Sequence, residues 1–140
     1  MTGVQTCALP ISSEVFLPFV AARTQQIHVG SAIWNLTPPV NPPARTAERV
    51  AMMDHLSEGR FEFGTGRGSS STEFKGFGIP DGDTTRAMYD EALPQILRMW
   101  KEERYSYDGR FFAMPGRRGR LGGVEPLLRR RCRCRCSLPA

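Results

Sequence analysis

Apolar residues recur every three or four positions along much of this chain and every second position in one short stretch, and these periods predict its elements. Val15, Phe16, Phe19 and Val20, followed by Ala21 and Ala22, predict a helix over 12–23 with an apolar face, capped by Ser12 or Ser13. Pro18 falls inside it, where proline is tolerated only in the first turn or at a kink. Ile27, Val29, Ile33, Trp34 and Leu36 are β-branched or large and nearly continuous from Val29. That composition predicts a buried parallel strand over 26–36. Pro38, Pro39, Pro42 and Pro43 then form a stiff loop. Ala47, Val50, Met53 and Leu56 make the stripe of a helix over 46–57, with Glu48, Arg49 and Asp54 turned away and Gly59 as its C-cap.

Phe61 and Phe63 alternate with Arg60 and Glu62, the period of a strand with one buried face. Gly64, Gly66 and Gly68 follow and read as a turn, Ser69–Thr72 as the cap of a short helix through Phe77. Met88, Ala92, Ile96, Met99 and Trp100 mark a long helix starting at Asp83 or Thr84, with a kink at Pro94. Residues 105–114 read as an extended segment turning at Asp108-Gly109. Strands alternating with helices predict βαβ units and a parallel sheet. Two such strands are too few for a closed barrel or a full doubly wound sheet, so the pattern is that of part of a larger α/β domain.

Charge and cysteine change the picture only at the ends. The net charge is +5, yet eight of the 19 basic residues lie at or after Arg117, and 12–115 carries 11 basic and 13 acidic residues. The four cysteines, Cys7, Cys132, Cys134 and Cys136, also lie outside 12–115. Cys-x-Cys-x-Cys without a neighbouring histidine is not a usual zinc spacing, and the arginine run has no interleaved aromatics to stack on bases. Neither a metal nor a nucleic-acid partner is expected. The sequence has no apolar run approaching the ~20 residues of a spanning helix, and a cytoplasmic protein is expected. Residues 1–11 lack the basic start of a signal peptide and resemble a translated sequencing adapter; 116–140 read as out-of-frame translation. Both are expected to be non-native, leaving 12–115 as the folding unit.

The candidate chemistry sits in Gly64–Gly68. Bare backbone approaches a ligand closely, and the Arg67 guanidinium offers a forked donor for phosphate or carboxylate. A dinucleotide loop would need its third glycine where Ser69 stands, and a P-loop would need Gly-Lys-Ser/Thr. Both nucleotide motifs fail by spacing. The residues leave two readings open: a strand exit with Arg67 pairing a local carboxylate such as Glu73, or an anion site.

Over 15–115 the chain resembles the bacterial luciferase-like flavin monooxygenases. The resemblance is carried by Leu17–Gly30 with its Ala-Ala-Arg-Thr, by Pro43–Arg49 followed by Met53–Ser57, and by Gly59–Gly68. It continues through Glu73-Phe74, Phe77-Gly78, Asp90–Leu93, Met99-Trp100 and Tyr107–Phe112. It implies a partial (β/α)8 TIM barrel, roughly the third and fourth βα units, with ligands at the C-terminal ends of the strands. It implies reduced FMN, or in one branch a deazaflavin, as cofactor. The flavin activates dioxygen and one oxygen atom enters a small organic substrate; the deazaflavin branch performs hydride transfer instead. Carried over by position, Arg67 contacts the flavin phosphate beside Gly66, and Ala32-Ile33 form a non-proline cis peptide under the flavin ring. A separate flavin reductase and a dimeric parent protein are implied.

The resemblance also has gaps. The family's catalytic histidine would precede Ser12, so no catalytic residue is expected in this chain. Pro42 stands where many relatives have histidine. His28 is read as a core or rim residue and His55 as solvated or as a cap to a helix C-terminus. A half-barrel with open sheet edges is expected to aggregate, and to bind flavin weakly or not at all.

Overall fold

The computed structural model describes residues 12–31 and 33–116. The expected leader, most of the arginine-rich tail and Ala32 lie outside the described residues. The elements run α1 (Ser13–Arg23), β1 (Val29–Gly30), β2 (Trp34–Asn35), α2 (Pro43–Leu56), β3 (Phe61–Glu62) and β4 (Thr65–Gly66). They continue with α3 (Ser71–Gly76), α4 (Gly82–Met99), β5 (Tyr107–Asp108) and β6 (Ala113–Met114).

The strand expected over 26–36 is one extended path broken into β1 and β2, and its parallel neighbour is broken likewise. Val29 pairs Phe61 and Gly30 pairs Glu62. Beyond the break, Trp34 pairs Thr65 and Asn35 pairs Gly66. The first path therefore takes one residue more from Gly30 to Trp34 than its neighbour takes from Glu62 to Thr65. This is a bulge that shifts the register by one residue. The Gly64 carbonyl pins it, accepting both the Trp34 amide at 2.8 Å and the Ser31 hydroxyl at 2.9 Å. The bulge turns Ile33 outward, 58% exposed, and returns Trp34 to the core.

The core lies between this ribbon and the helices α2 and α4. Trp34 meets Phe61 and Phe63 edge-on, at ring-centroid separations of 6.5 and 6.1 Å, and Phe63 meets Trp100 at 5.8 Å. The Trp100 indole N–H donates to the Ala47 carbonyl at 2.9 Å, tying the end of α4 to α2. Leu36, Val50, Ala92 and Ile96 are fully buried.

Several expectations change at element ends. Helix α2 starts at Pro43, three residues before the predicted start, because proline suits the first helical position. On α2, Leu56 is exposed and Asp54 buried, the reverse of the expected faces. Gly59, with φ 83°, closes α2 together with the residue before it. Glu58 takes the left-handed conformation, with φ 57°, and the Gly59 amide reaches back to the Asp54 carbonyl at 2.9 Å. Helix α4 starts at Gly82, capped by Asp81, and runs through Pro94 as one element. Pro94 and Asp90, whose carbonyl loses its partner there, both face solvent. On α1, Val15, Phe16 and Phe19 are exposed, while Ala21 is buried and Leu17 and Val20 pack, partly buried, against the core. Polar contacts also fix the helix. Glu14 pairs Arg49 of α2 at 2.7 Å, and the Arg60 guanidinium donates to the carbonyls of Ala21 and Ile27 at 3.0 Å. β5 and β6 form an antiparallel hairpin turning over Gly109–Phe112, with the Phe111 amide on the Glu91 carboxylate at 3.1 Å.

Candidate functional site

The C-terminal ends of β2 and β4 open into two neighbouring cavities. Neither glycine 64 nor glycine 66 forms the expected turn, since the strand carries on through Gly66. Only Gly68 turns the chain, with φ 74°. A Cβ there would lie 2.7 Å from both the Asn35 amide nitrogen and a Glu73 carboxylate oxygen.

Asn35 is the hub on this side. Its Oδ1 accepts the Thr37 amide at 2.9 Å and the Thr37 hydroxyl at 2.7 Å. That leaves its Nδ2 to donate to Glu73 at 2.9 Å, so the network fixes the amide's orientation. Asn41 donates to the Asn35 carbonyl at 2.9 Å. Ser70 caps α3 through the Glu73 amide. Asn35, Gly68 and Glu73 line the larger cavity, of about 530 Å³, with Ile33, Trp34 and Ser70 among its other walls.

Arg67 lies on the opposite side of the loop and does not pair Glu73. Its Nη1 donates to the Gly82 carbonyl at 2.6 Å and approaches the Thr85 hydroxyl at 3.4 Å. Thr85, wholly buried, itself donates to the Gly82 carbonyl at 2.7 Å. The first turn of α4 thus anchors one terminal nitrogen, and among the described contacts Nε and Nη2 keep their donors free. Next to it, Asp81 accepts the Thr84 amide at 2.6 Å, and the Thr84 backbone and side chain hold its carboxyl below the ordinary value.

Arg67, Arg86, Gly66, Tyr89 and Asp90 line the second cavity, of about 330 Å³. Tyr89 is held by Thr65 through a 2.8 Å hydroxyl contact. Two arginines and one aspartate among the lining residues give a site of net positive charge with forked donors, which suits a phosphate. Arg86 was not singled out from the sequence. It lies 19 residues from Arg67 on a different element, and only the docking of α4 against β4 joins them. Asn35 was missed for a similar reason, because an asparagine within an apolar strand reads as an interruption.

Gly66 and Arg67 are therefore brought together with a second arginine. Ile33 stands beside Gly66, where a Cβ would meet its side chain at 3.2–3.4 Å, and it lines the larger cavity. The peptide joining Ala32 to Ile33 lies outside the described residues. His28, exposed and 2.9 Å from Glu62, is at the start of β1, away from these cavities. His55 is exposed in the last turn of α2. Among the described residues no cluster of His, Cys, Asp and Glu could hold a metal ion, and no helix is long and apolar enough to cross a membrane.

Comparison with known proteins gives consistent matches. The family model described as luciferase-like monooxygenase matches residues 4–123. Limonene 1,2-monooxygenase of Rhodococcus erythropolis is 38% identical over 97 residues, which cover 69% of this chain and 24% of that protein. The F420-dependent glucose-6-phosphate dehydrogenase of Kineococcus radiotolerans is 33% identical over 103 residues, covering 72% and 30%. The oxygenating constituent of 3,6-diketocamphane monooxygenase from Pseudomonas putida, solved in complex with FMN, superposes with a TM-score of 0.69. That match covers 78% of this chain and 30% of the other, and at 24% identity it is a likeness of fold. The chain spans 24–30% of the length of these three proteins.

Proposed function

The chain belongs to the luciferase-like monooxygenase family, and on that premise we propose that its Arg67–Arg86 cavity holds the phosphate of a flavin mononucleotide. The observation that carries this reading is a cavity lined by two arginines, Arg67 and Arg86, at the C-terminal end of parallel strands. Arg67 is the better prepared of the two. Its anchor on Gly82 removes part of the freedom that binding would otherwise cost, and its remaining donors fit two phosphate oxygens. The larger cavity, walled by Ile33 and Trp34, is on the same end and takes the ring system in this reading.

The residues 12–115 are proposed as two consecutive βα units of a (β/α)8 barrel, the third and fourth in order. Bound flavin supplies oxygen activation, with one atom entering a small organic substrate. This chain's residues contribute grip and orientation, with no acid or base assigned among them. A separate reductase supplying reduced flavin, and a dimeric parent protein, belong to the same proposal. The similarity to an F420-dependent dehydrogenase supports one alternative, a deazaflavin bound through its phosphate for hydride transfer.

Titration of the purified chain with FMN, riboflavin and the deazaflavin tests these readings. The expected result is FMN binding at least about tenfold tighter than riboflavin, reduced about tenfold by Arg67→Ala or Arg86→Ala. Equal affinity for FMN and riboflavin sinks the phosphate assignment, and preference for the deazaflavin over FMN selects the alternative.

A further inference from the structure

We propose that Asn35 and Glu73 are positioning residues that lock the Gly66–Ser70 loop and thereby aim Arg67 into its cavity. The proposal rests on the reading of the Arg67–Arg86 cavity as an anion site.

The loop is held from two sides. On one side Arg67 is tied to the first turn of α4 through the Gly82 carbonyl. On the other, the Asn35–Glu73 hydrogen bond passes so close to Gly68 that any side chain there would strike both groups. Asn35 joins the two sides, because its backbone pairs Gly66 in the strand register while its side chain reaches Glu73 in α3. Thr37 fixes the amide with two hydrogen bonds, so Nδ2 has one direction in which to donate. The clamp thus connects a rigid strand to a short helix across the residue that follows Arg67. Without it the loop is left with the Ser70 cap and the contacts of Arg67 itself. A guanidinium on a looser loop spends more of its binding free energy on ordering.

The chemistry of the clamp makes it separable from charge. Glu73→Gln keeps an oxygen acceptor for Asn35 and loses the negative charge, whereas Glu73→Ala loses both. The test uses the full 140-residue chain, titrated with FMN and with riboflavin, with far-UV circular dichroism to verify that each variant folds. Asn35→Ala and Glu73→Ala are expected to lower the FMN-over-riboflavin affinity ratio about tenfold, while Glu73→Gln keeps it at the native value. A general loss of structure would lower both ligands together. If Arg67→Ala lowers the ratio while Asn35→Ala and Glu73→Ala leave it at the native value, the clamp has no positioning role and the proposal is wrong. A Glu73→Gln variant as poor as Glu73→Ala also overturns it, since charge and not the hydrogen bond would then matter. If Arg67→Ala leaves the ratio unchanged, or the native chain does not distinguish the two ligands, the anion-site reading fails and the positioning role fails with it.

Discussion

Gly68 carries the tightest constraint at the scale of single residues. Its left-handed backbone and the 2.7 Å approach of two polar groups leave no place for a methyl. Asn35 has little room to yield, because Thr37 holds its Oδ1 with two hydrogen bonds. Gly68→Ala is expected to destabilise the chain by about 1–2 kcal/mol, from the left-handed penalty and the disturbed hydrogen bond. Urea unfolding measures this, and a change below a few tenths would mean that the clamp yields freely. Gly68 was legible in the sequence as a turn glycine, and Arg67 as a donor. The partners of Arg67 were not, since a carboxylate six residues away and a carbonyl 15 residues away are equally plausible from spacing alone. The tertiary arrangement gave Glu73 to Asn35, which left Arg67 to α4.

Helix ends supply the predictions at the scale of elements. Glu58 occupies a position where glycine is favoured, while the true glycine stands one residue later. Glu58→Gly should raise stability by about 0.5–1 kcal/mol by relieving the left-handed strain, read as a higher thermal midpoint. An unchanged or lowered midpoint would show that the strain is absorbed elsewhere. At the other type of end, the ionised Asp81 carboxylate caps α4 beside the Arg67 anchor. Its folded pKa lies below the ordinary value, so its contribution is present above about pH 4 and is lost as the pH falls further. Asp81→Asn keeps an acceptor that does not titrate in this range. Circular dichroism between pH 6 and 2 should show a smaller acid-induced loss of helix in Asp81→Asn than in the native chain. Identical curves would remove Asp81 as a contributor. The sequence identified each of the described helices, yet it started α2 three residues late and α4 one or two residues late, because caps depend on backbone geometry that composition does not encode.

The whole molecule joins a well-made small core to an exposed apolar ridge. Ile96 is fully buried where α4 meets the aromatic layer of Trp34 and Phe63. Ile96→Ala should cost about 2–5 kcal/mol in chemical unfolding, and a cost under 1 would place the stabilising contacts elsewhere. On α1, by contrast, Phe16 and Phe19 face outward together with Val15. That ridge is expected to drive concentration-dependent association. Replacing both phenylalanines by serine should shift sedimentation toward the monomer, and an unchanged distribution would point to the strand edges instead. The sequence predicted α1 as a helix with an apolar face, and Val15, Phe16 and Phe19 of that face are left exposed. Periodicity reports that a face is apolar, and only the surrounding chain decides whether anything covers it.

The sequence by itself determined the order of helices and strands, the parallel relation of the two central segments, the glycine-arginine stretch and the family resemblance. Each of these is written in local period, residue type or motif spacing. Only the tertiary structure decided the one-residue register slip between Gly30 and Trp34, the cavity that Arg67 and Arg86 both line, and the bond from Asn35 to Glu73. These depend on how far one element slides along another before its side chains interlock. That distance is set by packing across tens of residues, which no local pattern records.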